Sequence, residues 1–439
     1  MKKILNVVFA CTMILAFAGT ASAEISLKDS VLATLKTYPR IAALEDASNA
    51  AEQDYKAAWG GYLPKLDAAG SYGPNQHSST TTRNEGREYE WIGAFEGRVT
   101  ASQLLYDGRF TQSRVEGTEA AQKSSESQIL DASERFGLDA VIAHLTVLRE
   151  QALIELAEDN AQQYRDILVS MKELVEAGGG SIADVTLTEG RLARALATLA
   201  EQRSAGELAL AQYKRLTGME AVSLADVETS ASAPMDIETA FMRMQANNPR
   251  ITTRKNEIDV ANAFVNERES YYYPRLTGEG TYSYKEDYEG VDNYTTDFRF
   301  AVVGRWNLFN GGSDLAATRA ATARKMGAIE DLRDTVDELY REVAATWSEQ
   351  QSAYEQIAQY NKAVNFNVET RDIYAQQFTV GQRTLLDVLD AENELFVSRG
   401  RLVTSKINVL IASYRLLALS GGLVQSFGLS TADYLSSAE

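Results

Sequence analysis

One cysteine in 439 residues excludes a disulfide framework, and two histidines, His77 and His144, exclude a multi-histidine metal site. Cys11 itself lies in a segment built like a secretory signal. Lys2 and Lys3 precede an apolar run from Ile4 to Ala18, and Ala21-Ser22-Ala23 supplies the cleavage site. Residues 1–23 are therefore expected to be removed, leaving a thiol-free chain that begins at Glu24. No cysteine stands at the cleavage point for lipid attachment. Bases are scarce too. Without Lys2 and Lys3, 41 bases face 61 acids, a net charge of −20. A nucleic-acid partner wants a basic face, so none is expected. Beyond the signal no apolar run is expected to supply the ~20 residues of a membrane-spanning helix. Entry into a membrane would have to use β-strands.

Proline is rare, and its six positions expose a repeat. Pro39 and Pro249 are 210 apart, as are Pro64 and Pro274. TYPRI at 37–41 matches NPRI at 248–251, and YLPKLDAAGSY at 62–72 matches YYPRLTGEGTY at 272–282. Further on the offset is 203: Leu105-Tyr106-Asp107-Gly108 matches Leu308-Phe309-Asn310-Gly311, and Gly178, Glu189 and Gly218 match Gly381, Glu392 and Gly421. The chain is a tandem duplication, with repeats at 24–218 and 246–421, a linker at 219–245 and a polar tail at 422–439. Two copies are too few for a solenoid, so they are expected to lie side by side.

Each copy predicts the same order. Pro39 or Pro249 opens a helix, where its missing N–H costs nothing. A strand follows Pro64 or Pro274, at about 65–73 and 275–285. After a polar loop a second strand returns, at about 91–105 and 296–308. Phe298, Phe300, Val302, Trp306 and Leu308 alternate with Arg299, Ala301, Val303, Arg305 and Asn307; Trp91, Phe95, Val99 and Ala101 alternate likewise. Such period-two alternation with terminal aromatics suits transmembrane β-strands. Proline is then absent from 75–233 and from 275–439. Long helices are predicted at about 109–177 and 312–379, and return helices at about 182–217 and 384–420. Tyr164, Ile167, Met171 and Leu174 step by three and four, as do Ala353, Ile357, Tyr360 and Val364, which marks coiled-coil seams. The fold class is mainly α with transmembrane β. Four strands cannot close a membrane barrel, and open edges are not tolerated in lipid. Two chains would supply eight strands, three chains twelve.

The segment VGQRTLLDVLDAENELF at 380–396, with the NPR and YLP or YYP repeats, resembles the TolC family of outer-membrane channel-tunnels over residues 25–422. The resemblance implies a homotrimer in outer-membrane lipid, with a twelve-stranded β-barrel and a periplasmic α-helical barrel tapering at the helix turns. It implies a periplasmic adaptor (membrane fusion protein) and an inner-membrane transporter of ABC or RND type as partners, and exported proteins or small molecules as cargo. No cofactor and no catalysis are implied. The missing lipid-attachment cysteine looks more like type I protein secretion than drug efflux. A multidrug efflux channel and a poreless periplasmic coiled-coil protein are the competing readings.

Asp387 and Asp390 are one helical step apart and share a face. Thr384 and Asp387 fit a capping box, as Ser181 and Asp184 do in the first copy. Asp390 lies beyond any cap, and its repeat counterpart is the apolar Leu187. The resemblance places Asp387 and Asp390 at the pore constriction, where crowded carboxylates raise one another's pKa and attract cations. It gives Arg383 a part in entrance gating, although Phe378 stands where members often have tyrosine, so no hydroxyl latch is expected there. Gly178 and Gly381 form the helix-tip turns and candidate adaptor-docking points. Trp91, Trp306, Tyr282 and Tyr284 are candidate membrane-girdle residues. His144, without acids arranged around it, is expected in the core or in solvent.

Overall fold

A computed structural model describes residues 24–227, 234, 236–288, 290 and 292–435. The signal segment and Cys11 lie outside the described residues. Two short helices, α1 (Leu27–Thr37) and α2 (Pro39–Trp59), lead to strand β1 (Lys65–Gln76), a one-turn helix α3 (Thr80–Asn84) and strand β2 (Trp91–Tyr106). Helices α4 (Phe110–Glu176) and α5 (Ile182–Thr217) complete the first copy. The second copy runs α6 (Ile237–Asn247), α7 (Pro249–Glu269), β3 (Arg275–Glu286), β4 (Tyr294–Arg305), α8 (Ser313–Thr379) and α9 (Leu385–Leu419), followed by α10 (Leu423–Ser426).

The helices α4 and α8 each hold 67 residues, roughly 100 Å of helix at ~1.5 Å per residue. Left-handed residues bound them. Gly108 and Arg109 precede α4, and Gly311 and Gly312 precede α8. Gly178 and Gly381 end them at φ +82° and +74°, where a side chain would be strained. The shorter helices α2 and α5 lie end to end beside α4, while α7 and α9 lie between α4 and α8. The result is a wall of parallel rods.

The strands form one antiparallel sheet in the order β1-β2-β3-β4. Its register separates two faces. Leu66, Tyr72, Trp91, Val99, Tyr282, Phe298 and Phe300 share one; Asp67, Glu96, Arg98, Glu279, Arg275, Arg299 and Arg305 share the other. Phe300 is 78% exposed and Tyr72 is 78% exposed, so the apolar face is uncovered in the single chain. Twelve-residue strands at ~3.4 Å per residue, tilted by ~45°, rise roughly 29 Å, about the hydrocarbon thickness. The loop between strands spans 77–90 in the first copy and 287–293 in the second. That difference takes up the change of repeat offset.

Several expectations need correction. β1 runs through Pro74 to Gln76; an edge strand tolerates a residue without an N–H. β4 stops at Arg305, paired with Arg275, because Pro274 offers no donor beyond it. Trp306 and Leu308 therefore follow the strand rather than ending it. α9 is long and apolar enough to cross a bilayer by length and composition alone, contrary to the sequence reading. Leu385, Leu389, Leu395, Leu416 and Leu417 are instead buried against neighbouring helices. The helices α1 and α6 were not foreseen. Part of the 219–245 segment is α6, and Ile25 bridges Leu224 across it.

The polar tail is also corrected: residues 423–435 fold into the core. Leu423, Val424, Leu429 and Tyr434 are buried with Val31 and Leu35 of α1 and Phe136 and Val141 of α4. A buried carboxylate holds them there. Glu134 accepts from the backbone N–H groups of Leu423 (2.8 Å) and Val424 (3.2 Å). Burial pushes its pKa up to about 7 against the pull of those two N–H groups. The folded pKa exceeds the unfolded one, so this contribution is complete below pH 4.5 and lost as pH rises through about 7. Between pH 4.5 and 8 the helical part should lose about 3 kcal/mol from this group. Denaturant melts by far-UV circular dichroism should show that loss in the wild type and a flatter profile in E134Q.

His144 is a core residue. Its Nδ1 lies 2.9 Å from Ser30 Oγ, and its Nε2 lies 3.2 Å from the Ala225 carbonyl oxygen. A carbonyl only accepts, so Nε2 carries the proton and Ser30 donates to Nδ1. Tyr213, 2.8 Å from Ser30 Oγ, must then donate to it. Burial holds the imidazole pKa down.

Candidate functional site: the helix turns and the two sheet borders

The turn between α8 and α9 carries the DVLD segment. Leu385, Val388, Leu389 and Glu392 are buried on one face of α9, a helical spacing that seats it on α4 and α5. Leu385 and Leu389 join Tyr164, Met171 and Ala195, with Phe378 and Val185 packed against them. The expected seam residues Tyr164 and Met171 are thus buried. Phe378 fills this cluster, which gives an apolar ring a packing role at the turn. Asp387 and Asp390 project from the remaining surface of α9.

Asp387 is a cap. Thr384 Oγ1 and N donate to its Oδ2 at 2.8 and 3.1 Å, and Asp387 N donates back to Thr384 Oγ1 at 3.4 Å. The Thr384 hydroxyl, then its N–H, then Arg383 hold the Asp387 carboxyl below the usual carboxylate range. Hydrogen bonds to the charged form favour it within one chain; the rise expected from crowding concerns carboxylates of several copies. Thr384→Ala should cost about 1 kcal/mol of local stability, read as faster amide exchange across the first turn of α9. The corresponding box at Ser181 does not form: Ser181 Oγ accepts from Ala183 N, and Asp184 N donates to the Ser181 carbonyl oxygen instead.

Asp390 is not free. Arg191 of α5 donates to its Oδ1 at 2.6 Å. Arg191 was missed, although the repeat carries a signal for it. At the matched positions the first copy has Leu187 and Arg191 and the second Asp390 and Glu394, so a base and an acid were gained on facing helices. Arg383 donates to Gln377 Oε1 at 3.1 Å, lies 3.9 Å from Asp387 Oδ1 and stacks 4.3 Å over the Tyr374 ring. Its partners all belong to its own turn. Gly178 and Gly381 sit at the turn apices, where an added Cβ would meet nothing within 4 Å.

At the far end, the candidate girdle residues separate. Trp91 opens β2 beside the inter-strand loop. Tyr284 stacks on Tyr294 at 6.1 Å and tilts against Phe95 at 6.2 Å near the same border. Trp306 lies at the helix end, its Nε1 donating to the Tyr272 carbonyl at 3.2 Å. Tyr282 sits between Val99 and Phe298, within the apolar band rather than at its border. Among the described residues, no group of three or more acids, histidines or cysteines is arranged to hold a metal ion.

Known proteins share this organisation. The outer membrane efflux protein family matches residues 33–219 and 242–422, one match for each copy. The outer membrane efflux protein BepC of Brucella suis is 24% identical over 87% of this chain and 82% of its own. The alkaline protease secretion protein AprF of Pseudomonas aeruginosa is 26% identical over 91% of this chain and 85% of its own. The crystal structure of VceC from Vibrio cholerae superposes with a TM-score of 0.79 at 17% identity, covering 90% of this chain and 96% of that one. With both copies matched across most of their length, the chain belongs to the outer membrane efflux protein family.

Proposed function

We propose that the chain is a passive export duct of the outer membrane that works as a homotrimer. The sheet is the observation that carries this reading. It has one apolar and one charged face, is long enough to cross the hydrocarbon layer, and leaves both edges unpaired. In lipid those edges must be closed. β1 and β4 run in opposite directions, so β4 of one copy can pair antiparallel with β1 of the next, and three copies give twelve strands. The helical wall repeats the geometry, with α2 and α5 at one side and α8 at the other. Asp387 and Asp390 then line the periplasmic constriction, Arg383 braces the turn, and Gly178 and Gly381 mark where a periplasmic adaptor docks. Trp91, Tyr284 and Trp306 border the membrane. Energy comes from an inner-membrane transporter, since transport here involves no catalysis by this chain.

Protein secretion is the preferred cargo route. Support comes from the likeness to AprF, named for alkaline protease secretion. Drug efflux is the second reading, supported by the likeness to BepC, named as an efflux protein. Purified protein should migrate heat-modifiably and conduct in planar bilayers. Protein that stays soluble and never conducts would return the poreless coiled-coil reading. Deleting the gene should empty the culture medium of a secreted protein; a change confined to drug susceptibility would favour efflux.

A further inference from the structure

We propose that the helix end of the sheet carries an anion site on its charged face, formed by Arg275 and Arg305 and taking phosphate-bearing solutes from the duct lumen. The two arginines are direct cross-strand partners, and like charges placed opposite each other destabilise a sheet. Neither forms an ion pair with an acid among the described residues. The next acid on that face of β3 is Glu279, four positions along, roughly 13 Å at ~3.3 Å per residue. The cavity they line has a volume of about 460 Å3 and is shared with Tyr271, Tyr273, Trp306 and Asp107. Asp107 is its one acidic lining residue and is already committed. Its Oδ2 accepts from Thr111 N at 2.9 Å and Thr111 Oγ1 at 2.6 Å, capping α4.

Two exposed guanidiniums beside an aromatic wall, set against a single capping carboxylate, leave an excess of positive charge that an anion completes. Guanidinium forks match phosphate oxygens in pairs. The cavity volume is in the range that holds small ligands. The pair lies on the face bearing Asp67, Glu96 and Arg98, away from Phe298 and Phe300. The guanidiniums thus share the face assigned to the lumen, while Trp306 lines the same cavity at the membrane border; the lumen is the source proposed for the ligand. This rests on the duct reading only for the ligand's source.

The test uses labelled pyrophosphate and the full-length protein in detergent at constant ionic strength, by equilibrium dialysis. Saturable binding is expected, weakened about tenfold or more in R275Q/R305Q and partly kept in R275K/R305K. Equal binding by wild type and R275Q/R305Q overturns the site. Single R275Q and R305Q variants, each removing the opposed like charge, keep the test usable if the double variant does not fold. In bilayers, pyrophosphate added on the loop side should block wild-type current, with the block lost in R275Q/R305Q and kept in D390A. Saturable binding without any conductance leaves the site standing and sinks the duct. Displacement of pyrophosphate by lipopolysaccharide or phospholipid micelles overturns the luminal assignment.

Discussion

Gly421→Ala is expected to remove most of the folded protein, whereas Gly218→Ala leaves most of it. The two glycines occupy the same place in the two copies, each ending a return helix in the left-handed region, at φ +65° and +70°. They share the strain of a side chain there, about 1–2 kcal/mol. Their surroundings differ. A Cβ on Gly421 would clash with the Asn247 carbonyl oxygen and lie 3.2 Å from Pro249 Cδ. Both are held: Asn248 Nδ2 donates to the Leu419 carbonyl at 2.8 Å, tying α9 to the start of α7. Backbone has to move, and the total should reach about 3 kcal/mol or more. On Gly218 the nearest atom is Thr37 Oγ1 at 3.8 Å, an ordinary contact. Urea midpoints and the yield of heat-modifiable protein should separate the variants. Equal losses would mean that backbone conformation, not the contact with Asn247, sets the cost.

Opposite effects are expected from the two partners of the Asp390 ion pair. D390A should raise the half-blocking concentration of a divalent cation about tenfold, because it removes the carboxylate outside the cap. R191A should lower it, since Arg191 at 2.6 Å offsets that charge. The double variant should resemble D390A. Asp387 stays anionic through its cap and retains a residual site. Single-channel currents with the divalent titrated on the turn side measure all three. Block unchanged in both single variants would make the pair a strut between α5 and α9 and place the constriction elsewhere.

Much of the fold was legible because duplication repeats its own punctuation. Pro39 with Pro249 and Pro64 with Pro274 mark helix starts and strand starts through steric rules that act locally. The left-handed glycines at 178 and 381 do the same for the turns. What escaped depended on contacts distant in sequence. The segment after Gly421 holds only scattered apolar residues, and Glu134, almost three hundred residues earlier, is what fastens it. The helices α1 and α6 carried local signals that the anchors overshadowed: Ser26 with Asp29 and Asp236 with Thr239 cap them. At the turn, Thr384 and Asp387 were readable as a cap from spacing alone. The pairing of Asp390 with Arg191 required knowing that α5 and α9 are neighbours.

The unpaired edges of the sheet also set the order of events in biogenesis. The helical wall can form within one chain, since its buried clusters are intramolecular. The sheet cannot finish alone: β1 and β4 each keep an unpaired edge, and Phe300 and Tyr72 remain in water. Such an edge recruits other strands indiscriminately. If the chain assembles as the homotrimer proposed above, a newly made copy is a sticky, half-finished subunit whose last folding step is a collision with two others. The rate of that step depends on the concentration of subunits and not only on the chain, so overproduction and scarcity fail differently. Excess subunits divert into aggregates, and sparse ones wait, exposed to proteases.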